Sequence, residues 1–287
     1  MNAPQAIIIT RKIEQNLELY DTFFEHAWAD ALTKRAPAQL TDAVSNLCLS
    51  WKEAANTHRL PWLMIQQMEA FSVAFMRRSK PEMAELTGRI RDWLFREMNG
   101  KLQRVEKKAI DAVLKKMDRG LRLASVEKDA RFPANEYWND IVKQSEMVFS
   151  IAGSQNLAYC ALVFGYEWFL VSCFRALGGS EKLKPNQDKF WERFEQLMGR
   201  DVKPDYWDAR PVRIARHARN SIAHLGGKAK SELVDEKSDL FVGPEGFISV
   251  RPTNNRVLYA ALKRKVGQLV DEVAPILASP AAESKPV

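Results

Sequence analysis

Arg219, Asn220 and His224 fall within one six-residue stretch, and their types suit chemistry at a phosphodiester. Histidine has an ordinary pKa close to neutrality, so it can take or give a proton. Arginine keeps its charge and can meet the negative charge that grows on a five-coordinate phosphorus. With a neighbouring 2′-hydroxyl as nucleophile, these groups cover what RNA cleavage without a metal requires. On an ideal helix Asn220 and His224 share a face, being four residues apart, whereas Arg219 and His224 are about 140° apart around the axis. Both can still border one cleft, especially if the helix ends at His224. Arg213, Arg216 and His217 come just before and are candidate RNA contacts; His217 also reads as a packed or supporting residue.

The element that must position them is a helix from Arg210 to the Gly226-Gly227 pair. Asp208 is placed to cap its start, and the missing N–H of Pro211 falls among first-turn donors that a helix leaves unpaired anyway. A glycine after the last turn can adopt the left-handed backbone that closes a helix. Four arginines, two histidines and one asparagine occupy this stretch, with no acid after Asp208. An ordinary surface helix would carry mixed charges.

Arg219-Asn220-Ser221-Ile222-Ala223-His224 resembles the signature of the HEPN superfamily, an arginine, a polar residue, a short spacer and a histidine. The resemblance implies a small helical bundle with this motif on its third helix. It also implies metal-independent endoribonuclease activity, a homodimer whose two motifs face each other across one cleft, and a role in host defence or as a toxin. A polar or acidic residue on the first bundle helix faces the motif in many such proteins, which points to Glu167. The resemblance covers roughly 135–278, and the N-terminal half lies outside it.

The 287-residue chain has 46% apolar and 28% charged residues, an ordinary soluble composition, and a net charge of +7. That charge leans weakly toward an anionic partner such as RNA. Cys48, Cys160 and Cys173 lack metal-type spacing and read as buried thiols in a reducing compartment. No secretory pattern is present in Met1 to Thr10, so a cytoplasmic location is expected. Neither a Gly-rich phosphate loop nor a Gly-x-Ser-x-Gly elbow occurs, and His26 and His58 sit in no ligand-like cluster; no cofactor or metal is expected.

Helical periodicity predicts an all-α chain. Helices are expected at 11–34, 40–56, 61–76 and from Pro81 to Gly100, the third carrying a Met and Phe stripe of core type. Between Arg77 and Arg122 there are fourteen basic and seven acidic residues. This window reads either as a solvated helix face or as a phosphate-tracking surface. Pro133 marks a junction, which divides the chain into a helical domain of unassigned role (1–130), a HEPN-like domain (135–278) and a disordered tail (279–287).

Past the junction, Gln155 to Leu177 is apolar nearly all round. A membrane span is disfavoured because Glu167 sits at its middle, where a charge costs about 2.5 to 3.5 kcal/mol to insert. The alternative is the central helix of a bundle. Glu167 then either reaches the surface or orients an arginine or histidine of the motif helix. A helix at 189–198, a short hairpin within 239–250 and a final helix at 255–277 complete the bundle. Two readings of other classes stay open, a catalytically silent RNA-binding or interaction module and a dimerisation unit whose basic N-terminal half binds nucleic acid. An inhibitory partner protein is compatible with the toxin reading.

Overall fold

A helix as apolar as the one around residue 160 needs cover, and the protein supplies it over part of the circumference while leaving Leu157, Phe164 and Trp168 exposed. The computed structural model describes residues 16–68, 85, 88–90, 92, 93, 96, 108, 109, 111–116, 138, 139, 141, 143–225, 227–229, 231, 233, 240–242 and 246–279. The fold is all-α. Among the described residues its helices include α1 (His26–Arg35), α2 (Thr41–His58), α3 (Ser145–Ala176), α4 (Asp188–Met198), α5 (Lys203–Tyr206), α6 (Arg210–His224) and α7 (Pro252–Leu277). A two-stranded antiparallel ribbon, β1 (Phe241–Val242) and β2 (Ile248–Ser249), lies where the hairpin is expected, with Phe241 opposite Ser249.

The chain divides into two compact units, one of Met1–Trp62 with Ile141–Val287 and one of Leu63–Asp140. These boundaries differ from those drawn on the sequence at 130 and 135. Residues 16–62 belong with the C-terminal helices because α3, extended N-terminally to Ser145, carries apolar residues around most of its circumference. α2, α6 and α7 all pack on it. Trp51 of α2 is fully buried, stacks on Trp28 at 5.9 Å and meets Tyr259 of α7 at 5.5 Å. Its indole N–H donates to the Leu162 carbonyl at 3.1 Å. Gly165 permits the approach, since a Cβ there would stand 3.0 Å from the Trp51 indole nitrogen. Glu146–Ala176 is long and apolar enough to cross a membrane by length and composition, and 56% of its most apolar stretch is buried within the protein.

The expected helix over 11–34 is broken. Residues 11–15 lie outside the described residues, Leu17–Tyr20 forms a 3-10 turn, and α1 starts at His26. Local side chains cause the break: Asp21 accepts from the Thr22 N–H at 2.7 Å and Thr22 Oγ1 from the Phe24 N–H at 3.2 Å. Such bonds compete with a helix ladder. Arg256 of α7 satisfies the freed carbonyls of Leu19 and Asp21 at 3.0 and 2.8 Å.

In the second unit, Arg89 pairs with Glu85 and Lys115 with Asp111 at 2.6 and 3.0 Å, one helical turn apart. These are the ordinary pairs of a solvated face, each worth a few tenths of a kcal/mol. Most of the basic window, the Pro133 junction and the tail from 280 onward lie outside the described residues.

His58 lies buried among α2, α3 and α7. Its Nε2 is 3.1 Å from the Leu19 carbonyl and its Nδ1 3.4 Å from Asn255 Nδ2, which fixes the neutral tautomer with Nε2 donating. Burial, reinforced by nearby Arg256, pulls its pKa down to about 4 despite its hydrogen bonds. The unfolded chain therefore takes a proton near pH 6.5 that the folded one refuses until about 4. Stability is complete above pH 6.5 and declines as pH falls between those values, by a total on the order of 3 kcal/mol. Urea unfolding of wild type and His58→Gln should diverge across this window. Parallel pH profiles would count against the buried neutral ring.

Candidate functional site

α6 begins and ends where its chemistry requires. Pro211 occupies the first turn, and the Ala209 carbonyl accepts from the N–H groups of Val212 and Arg213 at 2.9 and 3.0 Å. The cap is Ala209 and not Asp208, and no side chain closes the N-terminus. The Asp208 carbonyl instead accepts from the Arg213 guanidinium at 2.8 Å. At the other end, the Ser221 carbonyl accepts from both Leu225 and Gly227, at 3.1 and 3.0 Å. Gly227 has φ of 89°, the left-handed geometry that glycine adopts without strain. The Gly227 carbonyl then accepts from Ile248 of β2 at 2.8 Å, so the ribbon fixes the chain leaving the motif helix. Val212, Ala215, Ala218 and Ser221 form the buried stripe. The helix stops at His224, and this lets two residues 140° apart share one cleft.

That cleft is a cavity of about 580 Å³ between α3, α6 and the segment joining α3 to α4. Arg219, Asn220, His224 and Arg216 line it from α6, and Glu167 lines it from α3. Arg213 and His217 do not. Arg213 is turned toward the start of the helix, and His217 stands half-buried outside the cavity lining.

Glu167 does not reach past the motif helix to the surface. Its carboxylate accepts from Arg219 Nη2, and the two side chains are only 17% and 15% exposed. Burial pushes the Glu167 carboxyl above its usual range, and Arg219 and then Arg216 pull the other way. A buried carboxylate without a cation would be costly, so the pair is mutually required. The guanidinium of Arg219 also lies 4.8 Å from the centre of the Phe164 ring. Arg219 is thus held by a carboxylate and an aromatic face while its Nε stays without a hydrogen-bond partner.

Arg216 is fixed differently. Its guanidinium stacks on Trp207 at 3.4 Å from the ring centre, and Nη1 donates to the Trp207 carbonyl at 3.2 Å. Burial lowers its pKa to about 10, against the opposite pull of Glu167 and Asp208. It therefore remains a cation at neutral pH. Trp207 is itself seated against Trp191 at 5.4 Å, and Tyr166 of α3 donates to the Tyr206 carbonyl at 2.8 Å. Those contacts tie the approach to α6 onto the central helix.

Around the motif, Arg216, Arg219, Glu167, Asn220 and His224 thus bring two guanidiniums, one carboxylate, an amide and a terminal histidine to one cavity. Such a set can hold a phosphodiester by its oxygens, concentrate positive charge at phosphorus and present an imidazole for proton transfer. Among the described residues no group of three His, Cys, Asp or Glu side chains is placed to hold a metal ion. Phe164, Trp168, Trp207 and Lys184 also line the cavity, and the sequence alone does not single them out. Phe164 and Trp168 bracket Glu167 at one-turn spacing, a signal that the sequence does carry. Lys184 has none, because the path of the α3–α4 segment is not written in any periodicity. Compared with protein-family models, curated proteins and solved structures, the chain matches none.

Proposed function

We propose that this protein is a metal-independent endoribonuclease of HEPN type, acting on single-stranded RNA in the cytoplasm in a defence or toxin setting. The observation that carries the reading is one juxtaposition. Arg219, Asn220 and His224 line a single cavity, and Glu167 on the helix opposite engages Arg219. In the proposed reaction the substrate's 2′-hydroxyl attacks its own phosphate, held close by covalent geometry. The bond to the 5′-oxygen breaks, leaving a 2′,3′-cyclic phosphate and a 5′-hydroxyl. His224 takes or supplies the proton, Arg219 stabilises the charged phosphorane, and Asn220 positions one of them by hydrogen bonding. Arg216 adds a second fixed positive charge on the same wall.

The test is incubation of the purified full chain with total RNA in EDTA, with end-group analysis of the products. Cleavage should persist in chelator and leave 2′,3′-cyclic ends. Loss of activity in EDTA with recovery in Mg²⁺ would sink the reading. A catalytically silent RNA-binding module is the second reading, favoured by the commitment of Arg219 to Glu167, and it predicts binding without products.

We also propose that the active form is a two-fold dimer with the motifs face to face. Leu225 and Phe247, 44% and 47% exposed, stand beside the end of the motif helix and provide apolar surface for such a contact. The four arginines of α6 oppose it, because like charges approach across an isologous axis. Light scattering at micromolar concentration should give the mass of two chains. Full activity from a monomer would remove the dimer from the proposal.

A further inference from the structure

The cavity extends past the groups that the cleavage step uses. Arg175 comes eight residues after Glu167 on α3, about 12 Å further along the axis, and both line the same space. The segment after α3 forms another wall and contributes Lys184 and Asn186. Its shape is built in. The Gly179 N–H donates to the Phe174 carbonyl at 2.9 Å, and any Cβ on Gly179 would collide with the Phe174 ring. The Trp191 indole donates to the Pro185 carbonyl at 2.7 Å, and the Lys184 N–H donates to Gln187 Oε1 at 3.2 Å. Lys184 and Asn186 are therefore presented by a fixed loop, and both are exposed.

Trp168 stands on the same wall of α3, one turn after Phe164, and is 43% exposed. A large indole left half-open beside cations is a stacking surface. Every nucleobase offers a flat π-face, and an ammonium or guanidinium meets the accompanying phosphate. Asn186 carries both a donor and an acceptor that a base edge can use. The volume of about 580 Å³ lies within the range of small-ligand sites.

We propose that this arm of the cavity binds a nucleotide flanking the cut in single-stranded RNA. The base stacks on Trp168, its phosphate lies against Lys184 and Arg175, and Asn186 reads the base edge. This rests on the ribonuclease reading of the same site. A duplex would not fit, because its bases are stacked within the helix and inaccessible to Trp168. Glu181 also lines the cavity, and its carboxylate opposes a phosphate there.

The test uses the full chain and a short fluorescein-labelled 2′-O-methyl oligonucleotide of mixed sequence, which cannot be cut by 2′-hydroxyl attack. Anisotropy titrations should show Trp168→Ala raising Kd by about tenfold or more, with Trp168→Phe keeping most of the affinity. Lys184→Gln should weaken binding a few-fold and reduce the salt slope by about one, and Glu181→Gln should tighten it. Trp168 is half-exposed, so Trp168→Ala should melt like wild type. Unchanged affinity in a folded Trp168→Ala variant overturns the proposal. So does binding of nucleoside monophosphates as tightly as the oligonucleotide, which would make this a pocket for free nucleotides. The two readings fail separately. Wild type that cuts no RNA but binds through Trp168 loses the ribonuclease function and keeps the subsite. Trp168→Ala that cuts RNA at the same rate and positions as wild type loses the subsite and keeps the function.

Discussion

Arg219→Ala and His224→Ala are each expected to lower the proposed cleavage of single-stranded RNA by at least about a hundredfold, the usual size of one electrostatic or general acid–base contribution. The two reach that result by different routes. His224 is exposed at the last turn of α6, so its replacement should remove the proposed proton carrier with little effect on stability. Arg219 is the hydrogen-bonded partner of a buried carboxylate, and its removal leaves Glu167 with only the more remote charge of Arg216. Arg219→Ala should therefore also lower the melting temperature, and Arg219→Ala with Glu167→Gln should recover stability without recovering activity. Asn220→Ala should be milder than either. Kinetics with RNA carrying a single 2′-deoxy nucleotide complete the test, since cutting should stop there and continue elsewhere. Near wild-type rates in both alanine variants, or efficient cutting of DNA, would move the assignment to nucleic-acid binding.

How much of this site can be read from the chain differs residue by residue. Pro211 and Gly227 mark both ends of the motif helix, because proline removes a donor that has no partner there and glycine accepts the left-handed turn. Glu167 is legible as a buried charge in need of a cation, yet only the fold shows that the cation is Arg219 and not a histidine. The aromatic supports of Arg216 and Arg219 are less visible. Trp207 touches Arg216 across nine residues that turn back between α5 and α6, and no periodicity announces such a turn. The cap assigned to Asp208 fails because Ala209 takes that place and Asp208 receives Arg213 instead. Local signals thus place residues on elements, while contacts between elements depend on how the elements cross.

The same distinction governs the N-terminal residues, where sequence pattern alone draws one region over 1–130. A helix apolar nearly all round states how much cover it needs without saying which segments supply it. Here α6 and α7 cover part of α3, and α2 covers another part through Trp51. The expected result is that Trp51→Ala destabilises the protein by about 3 to 5 kcal/mol, the range for deleting a large buried aromatic side chain. Its indole is fully buried, its N–H satisfies the Leu162 carbonyl, and Trp28 and Tyr259 pack against its ring. A loss of that size is a large fraction of the roughly 5 to 15 kcal/mol that typical domains possess. By the same argument a fragment of residues 141–287 should not fold alone, because it would strip Trp51 from the Leu162 carbonyl and both Trp28 and Trp51 from the Tyr259 ring. Chemical denaturation followed by circular dichroism measures both outcomes. A fragment that unfolds cooperatively and still cleaves RNA would show that the bundle bearing the motif is self-sufficient. A fragment that is soluble only with 16–62 supplied as a second chain would place those helices inside the domain that carries the site.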